Sequence, residues 1–167
     1  MHEVVISDAG PLISLEKISG GFAFLRKMAK HVLIPEAVLL EAGAKSRNPE
    51  EYLLDHGIAD LTEIVRGIDI SRIAAMAGSR PLHRGEMEAL ALALERGLPV
   101  LLEDEDVRKV AKAADIKFVG IGGLVLAAAR QNVVNREEAL RLVNGLYAAR
   151  RITSILRDAL IAEFPRQ

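Results

Sequence analysis

Cysteine and tryptophan are both missing from the 167 residues. Without cysteine, disulfides and thiolate metal sites are excluded outright. The four histidines (His2, His31, His56 and His83) are scattered and show none of the spacings that hold zinc. Any metal would therefore be held by oxygen, which favours magnesium or manganese. Aromatics are scarce, with four Phe and two Tyr, too few for an extended platform on which bases stack. No apolar run approaches the roughly 18–20 residues of a membrane-spanning helix. The most apolar stretch, Met87 to Leu94, is short and carries Glu88 inside it. The N-terminus shows no basic region followed by a signal-type core, so the expectation is a cytoplasmic protein with no membrane partner.

An excess of charge of one sign is also lacking. Twenty-two basic residues face 23 acidic ones, for a net charge of −1. A protein that holds nucleic acid by bulk charge alone is usually basic overall. Small basic clusters exist at Arg26, Lys27 and Lys30, at Arg80 and Arg84, at Arg108, Lys109 and Lys112, and at Arg150 and Arg151. Their ordinary reading is solvated helix faces. Half of the residues are hydrophobic, enough for a sizeable core, and the length suits one domain spanning 1–167.

Val4-Val5-Ile6 is a β-branched run that stops at Ser7-Asp8-Ala9-Gly10-Pro11, where Pro11 can open a helix. Gly20-Gly21 ends that helix, and Phe22 to Met28 reads as a second one. Val32-Leu33-Ile34 is a buried strand, and Pro35 begins a helix to about Ala44. The stretch 45–82 is the least regular: Asn48-Pro49 is a turn signal, Glu50 to His56 looks helical, Leu61 to Val65 suits an edge strand, and Ile70 to Ala77 a helix. A loop-rich flap or insertion is expected there. Beyond it come a helix over Arg84 to Arg96 closed by Gly97, a strand at Pro99 to Leu102, a helix from Asp104 to Ala114, and a strand at Lys117 to Val119. Helices follow at Gly122 to Arg130, Arg136 to Ala149 and Ser154 to Phe164, the last two making up the 135–164 region. Strands alternating with helices predict an α/β fold with a parallel sheet covered on both faces.

Ligands of open parallel sheets sit beyond the carboxyl ends of the strands. Asp8 follows the first strand and Asp104 follows the Pro99–Leu102 strand, so both enter one crevice if those strands are neighbours. Each has an ordinary alternative: Asp8 can cap the helix that follows, and Asp104 and Asp106 can be first-turn helix acids. Glu41, near a helix end, is either a third acid of the crevice or a surface residue. Glu88 lies in a helix apolar nearly all round, where a charge needs a partner. A cation is one candidate and Arg84, one turn earlier, the other. Glu86 competes with Glu88, because two residues apart they point about 200° apart and cannot both face one site. Glu88 ranks first, Glu86 being placed to complement the helix dipole.

The order of these segments carries a resemblance. Val4-Val5-Ile6-Ser7-Asp8-Ala9-Gly10-Pro11-Leu12-Ile13 resembles the opening of PIN domains, in a branch that starts Ser-Asp-x-Gly-Pro-Leu. Ile34-Pro35-x-x-Val38-x-x-Glu41 is similar to that branch's second acidic motif, Gly85-Glu86-Met87-Glu88-Ala89-Leu90 to its third, and Val100-Leu101-Leu102-Glu103-Asp104 to its fourth. Val119-Gly120-x-Gly122-Gly123 matches the segment that follows, so the likeness runs from about residue 4 to residue 130. The family's usual Thr or Ser before the fourth acid is Leu102 or Glu103 here.

The resemblance implies a three-layer α/β/α sandwich and a site of Asp8, Glu41, Glu88 and Asp104, with Glu86 as an extra acid, holding Mg2+ or Mn2+. It implies metal-dependent cleavage of RNA, and for many small members, related to VapC-type toxins, the toxin half of a pair with a small antitoxin protein. Arg80, Arg84, Arg108 and Lys109 are candidates to grip substrate. The alternative is a PIN-like module that binds nucleic acid or protein with weak or no cleavage. A homodimer through Leu140, Leu142, Val143, Leu146, Ile155, Leu156, Leu160 and Ile161 competes with those residues simply closing the core. Phosphotransfer enzymes with an aspartyl nucleophile carry a second acid where Gly10 stands, and no Gly-x-Gly-x-x-Gly follows the first strand.

Overall fold

The structure, a computed structural model, describes residues 2–45 and 48–166. In chain order it runs β1 (His2–Ser7), α1 (Ala9–Glu16), α2 (Gly21–Met28), β2 (Ala29–Pro35), α3 (Glu36–Ala42), α4 (Pro49–Asp55), β3 (Thr62–Val65) and α5 (Ser71–Ala77). It continues with α6 (Arg84–Arg96), β4 (Val100–Leu101), α7 (Glu105–Ala113), β5 (Phe118–Val119), α8 (Ile121–Arg130), α9 (Arg136–Ala148) and α10 (Ser154–Ala162). The five strands form one all-parallel sheet in the order β3-β2-β1-β4-β5. Helices cover both faces, giving the expected three-layer α/β/α architecture.

The apolar run at the start of the chain explains why β1 lies in the middle. Val5 and Ile6 are buried, as a strand covered on both faces requires. β2 flanks it on one side and β4 on the other, with Ile6 opposite Val100 and Ser7 opposite Leu101. Helix α6 lies across β1, β2 and β4 and touches α3 and α5, while α1 meets α2, α3 and α8. The break between α1 and α2 depends on close approach: a Cβ on Gly21 would collide with the Leu15 carbonyl oxygen.

The stretch 45–82 is not a loop-rich flap. Asn48 caps α4 by accepting from the Glu51 N–H at 2.9 Å, and β3 pairs in register with β2, Val32 opposite Thr62 and Ile34 opposite Ile64. Ile58, Leu61 and Ile73 are buried in the common core. The helix over Glu50 to His56, the edge strand over Leu61 to Val65 and the helix over Ile70 to Ala77 are present as α4, β3 and α5. What local polarity and turn residues hide is how firmly they pack, because an edge strand needs few buried positions of its own. Residues 46 and 47, inside the same stretch, lie outside the described residues.

The last helices divide in their roles. Helix α9 buries Ala139, Leu142, Val143 and Leu146 and so closes the core. Helix α10 buries only Leu160 and leaves Ile155 82% and Leu156 45% exposed. No described helix is long and apolar enough to cross a membrane.

Candidate metal centre

Because β1 and β4 are neighbours, the residues following them share one crevice. The Asp8 N–H donates to the Leu101 carbonyl at 3.2 Å, which fixes the two strand ends side by side. Asp8 stands at the N-cap position of α1, yet its side chain makes no capping bond. It is only 4% exposed, and its Oδ1 is buried with no hydrogen-bond partner. A buried acceptor left unmet costs about 1–3 kcal/mol, more when charged, so it calls for a reason.

The surroundings of Asp8 sharpen the question. Burial first, opposed by the Ala9 amide and helped by the negative charges of Glu86, Glu41 and Asp104, pushes its carboxyl up to about 7. Glu86 is also raised, first by burial, and it too feels Asp104 and Glu41. Four acids from four segments thus act on one another: Asp8 after β1, Glu41 at the end of α3, Glu86 in the first turn of α6, and Asp104 after β4. Asp104 does cap its helix, its Oδ1 accepting from the Asp106 and Val107 N–H groups at 2.8 and 3.1 Å, which leaves Oδ2 outside those bonds. Glu86 Oε2 accepts from the His83 N–H at 2.7 Å.

Residues 4–163 match the model of a family described as a PIN domain. The chain belongs to the PIN-domain family. No curated protein matches it. PIN domains are generally nucleases that act on nucleic acids and typically use divalent metals.

In this PIN domain the two glutamates of α6 are placed differently: Glu86 is among the charges that raise Asp8. Glu88 is 8% exposed, and its Oε1 accepts from Arg84 Nε at 2.7 Å while Oε2 lies 3.4 Å from the Ala37 N–H at the start of α3. It lines a separate cavity of about 370 Å³ with Glu36, Arg66 and Arg84, and it is not among the charges that raise Asp8. The helical rotation that separates the two glutamates decides which faces the crevice; burial alone, the property the apolar pattern revealed, does not.

The candidate basic residues also separate. Arg84 is engaged with Glu88, and Lys109 pairs with Asp106 at 2.9 Å on the exposed face of α7. Arg80 lies in the exposed turn between α5 and α6. Only Arg108 of these candidates turns to the strand ends, donating from Nε and Nη2 to the Leu102 carbonyl at 3.3 and 2.8 Å. Its guanidinium also sits 5.7 Å from the Phe118 ring centroid. A Cβ on Gly120 would strike Arg108 Nη2, so a larger residue there would make the end of the arginine side chain shift.

The sequence pattern puts Arg151 in a solvated cluster, whereas the structure builds it into the site's frame. Its Nε donates to Ser14 Oγ at 2.7 Å, and its Nη2 donates to the Gly10 carbonyl at 3.2 Å and to Glu103 Oε2 at 3.1 Å. Ser14 Oγ in turn donates to Glu103 Oε2 at 2.7 Å. One guanidinium thereby ties the helix behind Asp8 to the loop that presents Asp104. Nothing local in the sequence marks it, since its partners lie 48 and 137 or more positions away.

The donor set suits a hard divalent cation, being entirely oxygen. As the side chains stand, no three described acids or histidines are drawn together closely enough to hold an ion. Glu41 and Glu86 carry side chains with rotatable χ angles that could bring them toward Asp8. The unmet Oδ1 of Asp8 is the fixed point to which they would close.

Proposed function

We propose that this PIN domain is a metal-dependent ribonuclease that hydrolyses RNA phosphodiester bonds. Asp8, Glu41, Glu86 and Asp104 would hold the Mg2+ or Mn2+, with Glu88 left to its structural pair. The observation that carries the reading is the buried, unpartnered Asp8 Oδ1 in the field of three further acids. When bound, the ion supplies charge that offsets the carboxylates and Lewis acidity toward a phosphate oxygen and a water.

The chain's own residues do the rest. Asp8 is held rigidly by the β1–β4 ladder and offers an oxygen that no internal donor has claimed. Asp104, anchored by its helix cap, keeps its second oxygen for the crevice. Glu41 and Glu86, on longer side chains, adjust to complete the set. A site of this kind needs no histidine as general base, and His83, the nearest in sequence, meets Glu86 through its backbone N–H. The toxin role is carried by the family resemblance. In that role a small antitoxin would cover the acidic crevice, and co-expression with a neighbouring small reading frame should suppress cleavage.

The test is incubation of purified protein with mixed-sequence single-stranded RNA, and in parallel DNA, with Mn2+, Mg2+ or EDTA. Cleavage of RNA that needs metal and vanishes in Asp8→Asn supports the proposal. Equal cleavage by both proteins assigns the activity to a contaminant.

A further inference from the structure

A further cavity contains none of the four acids in its lining. It encloses about 300 Å³ between α7, α8 and α10 and is lined by Glu103, Arg108, Phe118, Gly122, Arg151 and Leu156, among others. Two guanidiniums here face a single carboxylate. That carboxylate, Glu103, is committed, its Oε2 accepting from both Ser14 and Arg151. Both arginines are fixed by backbone carbonyls, Arg108 by Leu102 and Arg151 by Gly10. Little side-chain entropy therefore remains to be lost when an anion arrives. The remaining wall is apolar, from Phe118 and Leu156, which suits the sugar and base attached to a phosphate. Glu103 and Asp104 are adjacent in sequence, so the cavity opens one residue from the acid group.

We propose that this cavity is a phosphate subsite for a single-stranded nucleic acid, holding a nucleotide next to the bond presented to the acids. Its meaning for cleavage rests on the nuclease reading, but its existence does not. The acids alone would repel a phosphodiester strand; Arg108 and Arg151 give it a place to bind with its register set relative to Asp104.

Leu156 lines the cavity and Ile155 does not, and both are exposed, so charges can be placed at either without disturbing the core. Binding of a fluorescein-labelled mixed-sequence RNA is followed by anisotropy in EDTA at low salt, which keeps the ion out of the measurement. Leu156→Glu should weaken binding at least ~5-fold and Leu156→Lys tighten it ~2-fold, with Ile155→Glu changing it by less than ~2-fold. Arg108→Met should weaken it in step with Leu156→Glu. Equal effects of glutamate at 155 and 156, or no binding by the unaltered protein, overturn the subsite. A 5′-mononucleotide that binds as tightly as the RNA, with the same dependence on position 156, overturns the strand and makes the cavity a free-nucleotide site. If the charge series holds while no RNA is cleaved with Mn2+, the nuclease reading fails and the subsite stands.

Discussion

Two buried carboxylates, Asp8 and Glu88, have opposite fates. Both sit below 10% exposure, and they are the buried acids among the described residues. Glu88 in the α3–α6 seam has its charge met from within, by Arg84 and the Ala37 N–H. Asp8 at the end of β1 has an oxygen that nothing meets, and three other acids press on it. Burial of an acid is therefore not by itself the mark of a functional site. What separates the two is whether the fold supplies the counter-charge or leaves it to be supplied from outside.

The largest expected break in this comparison comes from neutralising each acid in turn. Asp8→Asn should lower metal-dependent cleavage at least ~100-fold, equivalent to about 2.7 kcal/mol of transition-state stabilisation. Glu88→Gln, measured in the same assay, should stay within ~3-fold of the unaltered protein. A loss at Glu88 as large as that at Asp8 would return Glu88 to the site.

The two glutamates of α6 sharpen the contrast next. Glu86→Gln should reduce cleavage by ~10–100-fold and raise the Mn2+ concentration needed for half-maximal activity. Stability should report the converse. Arg84→Ala leaves Glu88 buried with only a long contact to Ala37, and it should cost about 1–3 kcal/mol in denaturant unfolding while leaving cleavage nearly unchanged.

Acidity offers a test that needs no substrate. Folding raises the Asp8 carboxyl from 3.8 to about 7 and so favours its protonated form. That contribution is fully present below the ordinary pKa and is lost as pH rises through about 7. Metal-free protein should therefore lose stability on the order of a few kcal/mol between about pH 4 and pH 7.5 from this group. Asp8→Asn should flatten that loss, and Mn2+ should restore stability to the unaltered protein above pH 7 by binding the folded state. A thermal midpoint equally sensitive to pH in Asp8→Asn would assign the slope to other groups.

The smallest effect belongs to the frame. Arg151→Met removes the tie between the α1 turn and the Asp104 loop, and it should weaken Mn2+ binding by ~3–10-fold. Arg151→Lys, which retains the charge but not the fork, should recover part of that loss.

Much of the fold was legible because its signals are local. The β-branched run at Val4 to Ile6, the Gly-Pro break after it, and the Ala/Leu-rich helix before Gly97 each follow from backbone preference and burial within a few residues. The edge strand β3 was legible for the same reason, whereas its partner and register were not. Register with β2 depends on where the chain returns after α4, and no short window records that. Among the site residues, Asp8 and Asp104 were legible because they end strands of a parallel sheet, a place set by topology in general. The choice between Glu86 and Glu88 was not, since it turns on how α6 is rotated against β1, β2 and β4.

Sequence alone thus determined the layered α/β architecture and the presence of an oxygen-only set of acids, because periodicity, chain breaks and residue chemistry are properties of short segments, while the family rests on the order of its motifs. Tertiary structure decided which acids face one another, which one is paired off by an arginine, and that Arg151 reaches back across the chain to brace the site. Those outcomes depend on helix rotation and on contacts between distant segments, whose energies exist only once the sheet has brought the strand ends together.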